Sequence, residues 1–339
     1  MNKKRVLAML LAGAMALSMT ACGGGSASSG DDSSNDGGAS ASGGSYKVSV
    51  ILKTLAAEYW QYVKSGAEDY ASEHSDKVTV EVKGPSSETA FDEMQNMIET
   101  DLSSGSYDGV IISPLQSDTA AQLVSGTKLP IVAIDTNFTA PEVKSFVGTG
   151  NEAAAKKGGE AAVEAAKAAG WTDIKCIEIA GVQGDQTNTA RMNGYKAGVE
   201  EAGGIFLSDE VQYADATADR ATTAMEAIMQ THPEGIAIIC ANNDDMAMAA
   251  ARAAQGHDAY KNTIFLGFNG DRAACEAILA GQMTMSVAQM AYEMGYKAVE
   301  TMVQVLDGET VDEFVDSGSD VVTPDNAQER LDTLKTQLH

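Results

Sequence analysis

The sequence holds only four histidines in 339 residues. His74, His232, His257 and His339 are scattered, and none stands at the carboxyl end of a strand-like run. With no Gly-x-Ser-x-Gly elbow and no cluster of ligating side chains beside them, metal-dependent or triad catalysis is not expected, and no metal is. Cysteine is equally scarce. Of four residues, Cys176, Cys240 and Cys275 sit in apolar or helical runs without framework spacing, so buried free thiols are expected rather than disulfides. Positive charge is short as well: 23 Lys and Arg stand against 48 Asp and Glu, for a net charge of −25. That balance disfavours nucleic acid and anionic headgroups, which carry the same sign. Beyond the first 22 residues no apolar run is long enough to cross a bilayer. Gly148-Thr149-Gly150-Asn151-Glu152-Ala153 imitates a dinucleotide fingerprint. No acidic residue ends a following strand at the required distance, so no cofactor is expected.

What is present begins at the N-terminus. Lys3, Lys4 and Arg5 precede an apolar run from Val6 to Leu17, which ends in Ser18-Met19-Thr20-Ala21-Cys22. That order reads as a secretory signal peptide, too short to span as a lasting helix. The cysteine directly after the small residues resembles a bacterial lipobox, with Met19 where Leu is most usual. The resemblance implies cleavage after Ala21, a diacylglycerol on the Cys22 thiol, and attachment to the outer face of the cell membrane. From Gly23 to Gly44 the chain is almost entirely Gly, Ser, Ala, Asp and Asn. Such a stretch buries too little to offset chain entropy, so residues 22–45 are expected to form a flexible leash.

From Tyr46 the pattern changes. Short β-branched runs alternate about ten times with stretches rich in Ala, Glu, Met and Lys. The strand candidates are 47–54, 78–83, 109–113, 130–135, 146–148, 174–180, 206–212, 236–240, 263–268 and 283–287. Between them, Met94, Met97, Ile98 and Leu102 repeat at helical spacing, as core packing would require. Continuous apolar strands are buried on both faces, with crossover helices covering them. The expected architecture is α/β, doubly wound and parallel, in two lobes.

In such sheets ligands bind outside the carboxyl ends of the strands. The residues just past each run include Lys53, Tyr59 and Trp60, then Asp135, then Arg191 on a helix behind Gly181–Gln186. The later runs add Asn243, Asn269 and Gln289. Amides, a carboxylate, a guanidinium and two rings together suit a polyhydroxylated molecule. Asp and Asn pair with vicinal hydroxyls, Arg donates in a fork, and flat rings cover C–H faces. Blander readings exist for several of them. Asn243 before Asp244 suits a helix N-cap, Arg191 a surface pair, and Lys53 a chain snorkelling to water.

Thr54-Leu55 to Tyr59-Trp60, Ile134-Asp135, Arg191-Met192-Asn193-Gly194-Tyr195, Asn242-Asn243-Asp244-Asp245-Met246-Ala247, Gly267-Phe268-Asn269-Gly270 and Ala288-Gln289 occur in this order. From Tyr46 to about Thr323 the chain therefore resembles the solute-binding proteins of sugar ABC importers, of the ribose-binding type (type I periplasmic binding proteins). The resemblance implies two Rossmann-like lobes joined by a three-crossing hinge, closing on ligand like a clamshell. The crossings would fall near Gly148–Asn151, Gln289–Ala291 and within Val315–Val322. That divides the chain into residues 46–149 with 290–316, and 150–289 with 317–339. It also implies Tyr59 and Trp60 as stacking rings and Asp135, Arg191, Asn243 and Gln289 as polar partners. Asn269 stands where ribose binders carry Asp.

Other departures are Ala56-Ala57 for a pair of Asn, Thr136 for an Arg, and Ala216 where the second lobe offers an aromatic. A related branch binds the furanosyl signal autoinducer-2. Its Lys and carboxylate match Lys53 and Asp135, and its Asp-Gln pair matches Asp185-Gln186 if a short gap is allowed. A sugar-responsive repressor shares the clamshell but needs a basic helix-turn-helix before the body, where the lipobox stands. The expectation is a monomeric, non-enzymatic receptor that delivers a small neutral sugar or polyol to an ABC importer permease, with sugar sensing through a chemoreceptor or sensor kinase as the alternative that the same mechanics allow.

Overall fold

A computed structural model of the chain describes residues 45–338. The expected signal peptide, the expected lipid site at Cys22 and the expected leash up to residue 44 lie outside the described residues, as does His339. Val48, Val50 and Ile51 open the first strand, β1 (Tyr46–Ile51), and are fully buried, as a strand covered on both faces requires. The chain then alternates through α1 (Glu58–Glu73), β2 (Val78–Lys83), α2 (Phe91–Ser104), β3 (Gly109–Ile112), α3 (Ser117–Val124), β4 (Ile131–Ile134) and β5 (Val143–Gly148). A second series comes next: α4 (Asn151–Ala168), β6 (Lys175–Ala180), α5 (Gln186–Glu201), β7 (Ile205–Phe206), β8 (Gln212–Tyr213), α6 (Ala218–Thr231), β9 (Ile238–Ala241), α7 (Asp244–Ala254), β10 (Ile264–Asn269), α8 (Arg272–Leu279) and β11 (Met285–Gln289). The chain ends with α9 (Ala291–Leu306), β12 (Phe314–Asp316), β13 (Ser319–Val322) and α10 (Ala327–Leu334).

Two sheets result, each the centre of one α/β lobe. The first runs β12-β5-β4-β3-β1-β2 and is parallel throughout. The second runs β13-β11-β10-β9-β6-β7, with β8 also on β6, and only β13 is antiparallel. The chain passes between the sheets three times. It leaves the first sheet at Gly148, where β5 ends, and α4 buries Ala154, Ala162 and Val163 with Leu266 and Val287 of the second lobe. After β11 it returns, and α9 lies on α1 of the first lobe. Gly66 and Gly295 make that crossing close, because a Cβ on either would strike the backbone of the facing helix. Residues 317–318 then carry the chain from β12 in the first sheet to β13 in the second.

Two differences from the sequence expectation stand out. The run 206–212 is not one strand. Ser208-Asp209-Glu210 forms a 3-10 turn, so β7 pairs at Cys176 and β8 further along the same neighbour at Ile179. The stretch 315–322, read only as a crossing, holds most of β12 and all of β13. Cys176, Cys240 and Cys275 are buried free thiols, with the Sγ atoms of Cys176 and Cys240 3.4 Å apart.

Candidate functional site

The carboxyl ends of both sheets face one another, and a cavity of about 40 Å³ lies between them. Its wall includes Lys53, Tyr59, Trp60, Asp135, Arg191, Asn243 and Asn269, so the structure brings together seven of the eight residues singled out from the sequence. Gln289 is the exception. It is fully buried behind the wall and spends its Nε2 on Asn269 Oδ1 at 3.0 Å. The strand-end rule located its position correctly but could not show that a neighbouring side chain covers it.

In the first lobe, the residue after β4 carries the pivotal carboxylate. Asp135 adopts φ = 62°, a left-handed backbone that Asp tolerates better than most residues and that recurs at functional sites. Its Oδ2 accepts from the Tyr59 hydroxyl at 2.8 Å and its Oδ1 from Thr136 Oγ1 at 2.9 Å. Lys53 Nζ lies 4.0 Å from Oδ1 and donates to Asp185 Oδ2 of the second lobe. Burial alone would push the Lys53 ammonium down. The charges of Asp185, Asp135 and Glu88 outweigh it and hold the group above its ordinary value, so Lys53 is charged at neutral pH. Tyr59 and Trp60 pack edge to face at 4.9 Å, both nearly buried and both on the cavity wall. Trp60 Nε1 donates to Glu88 Oε1 at 3.0 Å. Burial raises Glu88, and the nearby Lys53 charge only partly offsets it.

The second lobe contributes a bonded scaffold of amides. Asp185 caps α5 by accepting from Asn188 N at 3.0 Å. Asn188 Oδ1 accepts from Gly181 N at 2.6 Å and from Asn242 Nδ2 at 2.8 Å. Arg191 stacks 3.8 Å over the Phe268 ring, gives Nε to Asn151 Oδ1 at 2.9 Å and Nη1 to Asn242 O at 2.8 Å. Its Nη2 makes no hydrogen bond among the described residues. Asn243 does cap α7, accepting from Met246 N at 2.9 Å, while its Nδ2 donates to Ala216 O at 3.1 Å. Asn269 donates to Asp271 Oδ2 at 3.3 Å. Burial raises Asp271 well above the usual carboxylate range, reinforced by the charges of Asp244 and Glu58.

Further wall residues escaped the sequence reading. Glu88 comes after β2, so the same strand-end rule reaches it. Thr187, Asn188 and Asp271 stand one helix turn or less beyond positions that were picked. Besides Lys53 and Asp185, the lobes are joined across the cavity by Thr136 Oγ1 and Thr187 Oγ1 at 2.6 Å, by Thr187 Oγ1 to Asp135 O at 3.5 Å, and by Arg272 Nε to Glu58 Oε1 at 3.3 Å. A larger concavity of about 540 Å³ opens at the opposite end of the second sheet, beside Arg252, His257 and Lys261. It lies at the C-terminal ends of α7 and α8, where the positive charges of Arg252 and Lys261 suit the helix dipoles, so it is an ordinary helix-end arrangement.

Two doubly wound lobes with polar residues of both closing on one cavity is the layout against which comparison with known proteins is informative. A family model described as a periplasmic binding protein domain matches residues 48–310. The chain belongs to that family. The D-allose-binding periplasmic protein of Escherichia coli is 30% identical over 265 residues, covering 75% of this chain and 83% of the relative. The ribose import binding protein of the same organism is 28% identical over 268 residues, covering 78% and 86%. Among solved structures, an ABC transporter solute-binding protein from Agrobacterium vitis with bound D-fucose superposes with a TM-score of 0.75 at 24% identity. It covers 86% of this chain and all of that one. A carbohydrate transporter solute-binding protein from Agrobacterium radiobacter, in complex with D-arabinose, gives 0.76 at 23%, covering 87% and 99%. The type I periplasmic binding protein fold expected from the sequence is the fold of this chain.

Proposed function

We propose that this protein is a non-enzymatic receptor that captures a small sugar or sugar-like polyol between its lobes and hands it to an ABC importer. The observation that carries the reading is the composition of the enclosed wall: one lobe supplies Asp135 and two rings, the other Arg191 and a set of amides, around a single cavity. These groups match vicinal hydroxyls and the apolar face of a sugar ring. Five carboxyl groups (Glu88, Asp135, Asp185, Asp245 and Asp271) and two cations (Lys53 and Arg191) stand in that wall, and Asp185 and Asp135 already hold Lys53. Little uncommitted positive charge is left for a phosphorylated or acidic sugar, which favours a neutral ligand. Relatives named for ribose and allose binding support the class.

In this mechanism the open form exposes the strand ends, and ligand bridges them only when the lobes meet. Ligand affinity for the closed form alone then shifts the population toward closure. The three crossings at 149–150, 290 and 317–318 serve as the hinge. The importer permease reads the two lobes once they are aligned, and Cys22 tethers a monomer to the outer face of the membrane by lipid.

A second reading, binding of a furanosyl signal of the autoinducer-2 kind, draws on one specific observation. Lys53, Asp135 and Asp185, which match that branch, form one cluster on the wall. Gln186, the fourth match, lies outside the cavity. A thermal-shift screen with pentoses, hexoses, deoxysugars, inositols and autoinducer-2 separates the readings. A ligand at about 100 times its dissociation constant should stabilise the protein by roughly 2.7 kcal/mol. Asp135→Ala should weaken the ligand found by at least tenfold, since hydroxyls would be left unpaired in a dry site. Unchanged affinity in that variant overturns the site.

A further inference from the structure

On the far side of the wall formed by Asp135 and Thr187 lies a second concavity of about 470 Å³, which shares those two residues with the central cavity. Both lobes build it. Phe146 of β5 and Phe314 of β12 come from the first lobe, and Gln186 and Ala190 of α5 from the second. The two phenyl rings are stacked, with centroids 5.4 Å apart and planes 22° from parallel. Phe314 is 44% exposed, one of only four large hydrophobic side chains so exposed among the described residues. Around this apolar platform stand amides with capacity to spare. Asn137 uses its Oδ1 on Phe138 N at 2.8 Å, but its Nδ2 donates to nothing among the described residues. The Gln186 side chain likewise has no hydrogen bond there.

We propose that this groove is a second ligand site, for a glycoside with an aromatic aglycone. The aglycone would lie on the Phe146–Phe314 platform, where an aromatic pair prefers offset or edge-on contact. The sugar hydroxyls would meet the Asn137 and Gln186 amides, which both donate and accept. The site is continuous with the central cavity through Asp135 and Thr187, yet the Thr136–Thr187 hydrogen bond closes the partition between them. The two are therefore separate sites sharing a wall, linked through the lobe arrangement that both require. Because both lobes line it, a molecule that fits it in this conformation favours this conformation over any in which the lobes have moved apart.

The test is saturation-transfer NMR on the full chain, with phenyl β-D-glucopyranoside as the probe. Transfer should be strongest at the phenyl protons. Phe314→Ala removes half the platform, and Ala190→Trp fills the groove from the opposite lobe; each should cut the transfer at least fivefold. Trp60→Ala removes a ring of the cleft that neither lines the groove nor bonds to a residue lining it, and should leave the transfer unchanged. Transfer that survives both groove variants overturns the proposal. So does transfer lost in Trp60→Ala alone, which would place the probe in the cleft.

Discussion

The two lobes face the same cavity but hold their polar groups in different ways. In the second lobe the groups are bonded to their own scaffold: Asn188 to Gly181 and Asn242, Arg191 to Asn151 and Asn242, Asn243 to Met246 and Ala216. In the first lobe they are bonded to one another or across the gap: Tyr59 to Asp135, Trp60 to Glu88, Lys53 to Asp185, Thr136 to Thr187. One wall is a preorganised template. The other is a set of partners that ligand or opening can exchange. Perturbations of the template should therefore appear as lost stability, and perturbations of the cross-lobe set as altered conformation.

The largest effect expected lies in the template. Glu178 of β6 is fully buried, with neither carboxyl oxygen hydrogen-bonded among the described residues. Burial pushes it up to about 8, and the nearby Asn242 amide and Arg191 charge offset this only in part. The folded protein thus keeps a proton that the unfolded chain gives up near the ordinary value of 4.5. Its contribution is complete below about pH 4.5 and is lost as pH rises through about 8, at roughly 1.4 kcal/mol per pH unit in between. Over pH 5–8 that is about 4 kcal/mol. Glu178→Gln should flatten this decline in urea titrations, and equal slopes for the two proteins would show that Glu178 is already ionised.

Next comes Asn188→Ala. It leaves the Gly181 N–H and the Asn242 amide buried without their acceptor, at about 1–3 kcal/mol for each orphaned group. Lobe opening offers no relief, since both groups belong to the same lobe. Denaturant unfolding should report a loss of roughly 2–3 kcal/mol with an unchanged radius of gyration. A loss under 0.5 kcal/mol would mean that the amide network contributes little rigidity.

How legible these features were in the sequence differs along the same line. The central strands read well because their apolar runs are continuous; β3, β4, β6 and β10 fall within one or two residues of their expected ends. The edge strand β2 reads to the residue for another reason, the alternation of Val78, Val80 and Val82. A short edge strand without such alternation reads poorly. β12 has three residues, none of them buried, so only its neighbour β5 makes it a strand. The strand-end rule found Asp135 and Lys53 because a charged residue ending an apolar run has few other places to be. It could not tell an exposed amide from one spent on the scaffold, as Gln289 is on Asn269. Nor could it show Lys53 reaching 132 positions along the chain to Asp185, because that contact exists only once both lobes have folded.

The smallest effect on stability, and the most direct probe of the contrast, is expected from Lys53→Met. Removing one member of a buried ion pair usually costs about 3–5 kcal/mol, because the other charge is left uncompensated in a dry site. Here Asp135, Asp185 and Glu88 would all lose their shared cation. Yet Asp185 stands on the second lobe and the other two on the first, so separating the lobes returns all three to water. The variant should therefore lose under about 1 kcal/mol of unfolding free energy, because opening replaces the full penalty of a locked pair. X-ray scattering should show a larger radius of gyration than the parent protein, and Asp185→Asn should shift it the same way. Should Lys53→Met stay closed and lose the full 3–5 kcal/mol, the lobes would behave as one rigid body. The template and the exchangeable wall would then be a single structure, and ligand capture would have to proceed without the hinge.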